Sequence, residues 1–155
     1  MRLLQKTLLA GSLATALALL PTAAHAGNAP GDRGVSTVSG IQYWNQANVI
    51  VQSTQAWGET RSGPDTHCVS AGSIAAKAKL FESSASGTGA ALRSEGPWYY
   101  TEVTLCPGEW RGYTAYYNFG GGMRYFYSHG ETMAWNTWSS SYNQYSTIPG
   151  KVQNP

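Results

Sequence analysis

Charge is scarce in this chain. Asp, Glu, Lys and Arg make up 12% of its 155 residues, and the formal net charge is only +2. Two of the ten basic residues, Arg2 and Lys6, lie in an N-terminal stretch that reads as a leader, which leaves eight basic residues against eight acidic ones. A chain so near neutrality lacks the clustered Lys and Arg on which binding to nucleic acid or anionic lipid depends. Histidine is scarce too. Beyond the leader only His67 and His129 remain, far apart in sequence, so a catalytic pair of imidazoles is not indicated. The two cysteines, Cys68 and Cys106, lack the CxxC spacing of a zinc site. There is no GxSxG elbow, HExxH helix, P-loop, EF-hand loop or deaminase signature. No carboxylate pair is recognisably spaced for glycoside hydrolysis. Fixed repeats, heptads and N-x-S/T sequons are also missing. Neither a metal nor a cofactor is expected.

One long apolar run is present, and it stands at the start. Arg2 and Lys6 precede LLAGSLATALALL, Pro21 breaks the run, and Ala24-His25-Ala26 is a small-x-small cleavage site. A membrane anchor needs about 20 apolar residues with different flanks. Residues 1–26 therefore read as a cleaved secretory signal, and the mature chain as secreted, or periplasmic in a Gram-negative cell. In that oxidising setting the only two cysteines can pair in one way. A Cys68–Cys106 bridge closes a loop whose chain-entropy value is roughly 4 kcal/mol.

What remains suits one domain with a modest core. Residues 27–34 (GNAPGDRG) read as a flexible arm, 35–148 as a single β-rich domain and 149–155 as a polar tail. VSTVSGIQYW and NVIVQSTQAW carry the β-branched and aromatic residues of strands. GETRSGPDTH, residues 58–67, reads as a turn-rich connection. In SIAAKAKLF, residues 73–81, Ala and Lys favour a helix. The period of two, with Ile74, Ala76, Ala78 and Leu80 on one face and Lys77 and Lys79 on the other, decides for a strand. ESSASGTGAALRSEG follows as a loop. Aromatic segments then run to residue 146, with PGE and GGG between them placed as hairpin turns. The fold class predicted is all-β: a small antiparallel sandwich or barrel stapled by one disulfide.

The chemistry concentrates in GEWRGYTAYYNFGGGMRYFYSHG, residues 108–130. In PWYYTEVTLC, Val103 and Leu105 mark a core face shared with Tyr99 and Thr101, which leaves Trp98, Tyr100 and Glu102 outward. In WRGYTAYYNF the set ending in Tyr117 and Phe119 looks inward, which leaves Trp110 and Tyr116 outward. Trp98, Tyr100, Trp110 and Tyr116, with Arg124, thus form one predicted aromatic face. Exposed rings beside polar groups stack on sugars, and Tyr, Trp and Arg also anchor protein interfaces. The reading is a secreted, non-enzymatic binding module whose partner is a glycan, a cell-envelope component, or a surface or secreted protein.

Two resemblances offer other classes. The chain order of YYTE at residues 99–102, Arg111 and His129 resembles the small secreted guanyl-specific microbial ribonucleases. That resemblance implies Glu102 as general base, Arg111 at the phosphate and His129 as general acid. GEWRGYTAYYNF with the upstream DTHC resembles lactococcin-type bacteriocins, small secreted β-sandwich proteins. This second resemblance implies an antagonistic toxin acting at the envelope of competitors. The GTW-type opening of that family is missing here.

Overall fold

Residues 27–155 are described by the structure, a computed structural model; the predicted signal segment lies outside them. Among the described residues every regular element is a strand. In chain order they are β1 (Gly27–Pro30), β2 (Gly34–Val38), β3 (Ile41–Val51), β4 (Gln55–Pro64), β5 (Ile74–Ser83), β6 (Ala91–Glu95), β7 (Tyr99–Tyr100), β8 (Trp110–Tyr113), β9 (Tyr117–Asn118), β10 (Tyr125–Asn136) and β11 (Ser141–Ser146). Among the described residues no helix is long and apolar enough to cross a membrane.

The strands form two antiparallel sheets packed face to face, a β-sandwich. In the six-stranded sheet β3 and β4 are central. The edge of β3 is shared by β1 and β2, and the far edge of β4 by β8 and β9. In the five-stranded sheet the order is β11, β10, β5, with β6 and β7 sharing the far edge of β5. The alternation expected for β5 holds: Ile74, Ala76, Ala78 and Leu80 are buried, while Lys77 and Lys79 face out. Along β10, Phe126, Ser128, Gly130, Thr132 and Ala134 point inward in the same way.

The core has two apolar lobes. One gathers Val49, Val51, Ala56, Leu80, Phe119 and Phe126; the other gathers Val38, Tyr43, Val69, Ile74 and Ala134. Between them each central strand switches to small or polar residues, among them Asn45, Ala47, Gly58, Thr60, Ala76, Ala78, Ser128, Gly130 and Thr132. Asn45 Nδ2 donates to Thr132 Oγ1 at 3.1 Å across this waist. Here the sheets touch backbone to backbone. A Cβ on Gly112 would run into the Ala76 carbonyl.

Several segments differ from expectation. The first four residues of the expected arm form β1, paired with β3. Residues 58–64, expected as a connection, complete β4, because their Thr and Ser fill the narrow waist. Residues 91–95, expected in a loop, form β6. The glycine run is a corner and not a hairpin: β9 and β10 belong to different sheets. Gly120, Gly121 and Gly122 all take positive φ (73°, 89°, 83°), which residues with a Cβ rarely adopt. The tight hairpin is instead at Ser39-Gly40, where φ is positive at both residues, as a type I′ turn requires. Cys68 and Cys106 form the disulfide, next to the bridge between Val69 and Leu105.

Candidate functional site

The expected strand at 97–106 is reduced to β7, two residues long. Pairing with Ala76 directs Tyr99 to the inner side of its sheet, toward β8. Beyond β7 the chain is irregular. Thr101 is buried and bonded to Ile74, whereas Val103, expected in the core, is 61% exposed. The expected strand at 110–119 is likewise split into β8 and β9 around Thr114–Tyr116. On β8 the faces are the reverse of those expected. Gly112 is buried against Ala76, so Trp110 shares its inner side, and Arg111 and Tyr113 point out. Past the break the expected faces return: Phe119 is buried, Tyr117 packs on the core and Tyr116 is exposed.

The edges of the two sheets therefore oppose each other at β7 and β8. Trp110 Nε1 donates to the Tyr99 carbonyl at 2.9 Å and ties one edge to the other. The Tyr99 and Tyr113 rings meet edge to face, with centroids 6.4 Å apart. With Glu102, Glu109 and Arg111 these three aromatic residues line an open cleft of about 380 Å³. That volume lies within the range of small-ligand sites.

Behind the cleft lies a charged network anchored on Glu59. This side chain is 2% exposed although it stands on the outer face of β4. Its carboxylate accepts from Asn48 Nδ2 at 2.8 Å, Arg61 Nε at 2.8 Å and Arg111 Nη1 at 2.9 Å. Burial by itself pushes the Glu59 carboxyl up. The Asn48 hydrogen bond and the Arg61 and Arg111 charges outweigh burial and hold it below the ordinary range. Arg111 also pairs with Glu109 through Nη2. The guanidinium lining the cleft is thus fixed from two sides. Glu102 is exposed and makes no side-chain hydrogen bond or ion pair among the described residues.

The residues expected on one face are dispersed. Trp110 is at the cleft. Trp98 is half-buried, with Lys77 Nζ 5.7 Å from its ring centroid. Tyr100 packs edge to face on Tyr142, and Tyr142 on Trp135, at 5.7 and 5.0 Å, along the outside of the five-stranded sheet. Tyr116 packs on Trp57 at 4.9 Å, on the outside of the six-stranded sheet. Arg124 bonds Glu82 at 2.6 Å. Of the acid–base set, Glu102 and Arg111 share the cleft. His129 points out of β10 on the opposite side of the sandwich, so the three do not converge. Tyr99 and Tyr113 line the cleft although the sequence alone singles out neither ring for a site. The flanking Pro97, Pro107 and Gly108, which shorten the adjoining strands, were the available signal.

A second cavity, about 460 Å³, is lined by Ser70, Gly72, Ser73, Trp135, Thr137 and Tyr142. Its rings pack against one another, and the Tyr142 hydroxyl is bonded to the Gly72 carbonyl. It has no charged side chain in its lining, so the β7–β8 cleft offers the richer recognition chemistry. Among the described residues no group of three His, Cys, Asp or Glu is placed to hold a metal ion. Comparison with protein-family models, curated proteins and solved structures found no match to this chain.

Proposed function

We propose that this protein is a secreted, non-enzymatic binding module that holds a glycan in the cleft between β7 and β8. The observation that carries this reading is the grouping of Tyr99, Trp110 and Tyr113 around the side chains of Glu102, Glu109 and Arg111. Sugars present apolar C–H faces that pack on aromatic rings, and hydroxyls that need charged or polar partners at their edges. The cleft supplies both kinds of group. Arg111, already oriented by Glu59 and Glu109, loses little freedom when it donates to a hydroxyl. The disulfide suits an oxidising compartment, as export under the predicted signal requires.

Depletion by washed cell walls, chitin, cellulose and starch tests the proposal. Saturable depletion by one polymer is expected. Tyr113→Ala removes a ring that is 38% exposed, so the fold is retained while affinity falls about tenfold. Trp110→Phe keeps a ring but removes the indole donor to Tyr99 and weakens binding less. Folded Tyr113→Ala and Trp110→Ala variants that deplete as well as the parent would move the site away from this cleft.

A further inference from the structure

We infer that the cleft selects a sugar bearing a free amino group; this rests on the glycan reading and names its ligand class. Five ionised side chains line the cleft or bond directly to it: Glu59, Glu102 and Glu109 against Arg61 and Arg111. Both guanidiniums are engaged. Arg111 bonds Glu59 and Glu109, and Arg61 bonds Glu59 and lies 3.9 Å from Glu109. The cleft therefore carries one excess negative charge. It resides on Glu102, the carboxylate with no side-chain partner among the described residues.

An unpaired carboxylate in the lining of a cavity walled by two Tyr and one Trp suits an alkylammonium group. The ring faces attract the cation, and the carboxylate accepts its charged hydrogen bond. A uronic acid meets Glu102 and Glu109 as like charges and is disfavoured. An N-acetylated sugar keeps the stacking surface but leaves Glu102 unanswered. The ligand class that fits both rings and charge is an oligosaccharide of deacetylated amino sugars.

The test titrates the protein with glucosamine oligomers and with N-acetylglucosamine oligomers of equal length, at mildly acidic pH where the amine is charged. The expected result is roughly tenfold tighter binding of the amine form. Glu102→Gln abolishes that preference, so that the two oligomers bind with equal affinity. Glu131→Gln, which removes one charge on the outer face of β10, keeps the preference. Equal affinity for the two oligomers, or binding of the acetylated one alone, overturns the inference while the glycan reading stands. Loss of the preference in Glu131→Gln as well as Glu102→Gln overturns it by showing mere attraction of a polycation. Binding of neither oligomer by the parent, with no polymer depleted, overturns both.

Discussion

A single carboxylate, Glu59, couples the stability of this protein to its cleft. Its folded-state ionisation is held below the ordinary range because three donors outweigh burial. A carboxyl with a depressed folded pKa contributes stability that is complete above its unfolded value. That contribution is lost as the pH falls through the folded value. Urea midpoints should accordingly be level from neutrality down to about pH 5 and fall below the ordinary Glu pKa of about 4.3. Glu59→Gln keeps the shape but leaves Arg61 and Arg111 without their shared partner, at a cost of about 3 kcal/mol at neutral pH. It should also flatten the acid limb. The flattening is partial, because Glu82 is also held low: Arg124 and Arg93 outweigh its burial. An unchanged acid limb in Glu59→Gln would remove Glu59 from this account. None of this was legible locally. GETRSGP reads as a turn, and the Arg111 that completes the network lies 52 residues further along the chain. Glu102 and Arg111, by contrast, are indicated by chain order alone and do share a cleft. The His129 indicated with them does not, because its position on β10 sends it to the other side.

At the level of strands, hydrophobic period was a good guide wherever a strand ends in an apolar lobe, and a poor one at the waist. β5 was readable because Ile74 and Leu80 bracket its alanines. β4 was not, because contact between closely approaching sheets selects Gly, Ser and Thr, which are also the residues of turns. The same approach predicts unequal tolerance among glycines. At Gly112 an added methyl meets backbone of the facing sheet, so Gly112→Ala should cost about 1–3 kcal/mol. It should also weaken glycan binding, since β8 carries Trp110, Arg111 and Tyr113. At Gly120 the methyl meets nothing within 4 Å, and only the positive φ opposes it, at about 1–2 kcal/mol. Paired denaturation curves and titrations distinguish the two: both variants lose stability, and only Gly112→Ala loses affinity. Loss of affinity in both would mean that the glycine corner, and not β8, sets the cleft geometry.

For the whole molecule, the disulfide joins these effects. Pairing of Cys68 with Cys106 could be read from composition, since no other partner exists. What the bridge holds could not, because it depends on where the two sheets leave their edges. The bridge closes a separation of 38 residues that contains β5, β6 and β7. Its Cys106 end fixes the irregular stretch between β7 and β8, from which Glu102 and Glu109 enter the cleft. The chain-entropy value for such a loop is about 4 kcal/mol, and removing a native bridge from a small secreted domain costs about 2–5 kcal/mol. Cys68→Ser with Cys106→Ser should therefore lower the urea midpoint substantially. Glycan affinity should also fall at temperatures where circular dichroism shows the double variant still folded. The reason is conformational: freed of the bridge, residues 101–109 must be ordered again on binding, and that entropy is subtracted from the affinity. Retained affinity in a folded, destabilised variant would show that β7 and β8, held by the Trp110–Tyr99 hydrogen bond, suffice to shape the cleft. The disulfide would then act on stability alone.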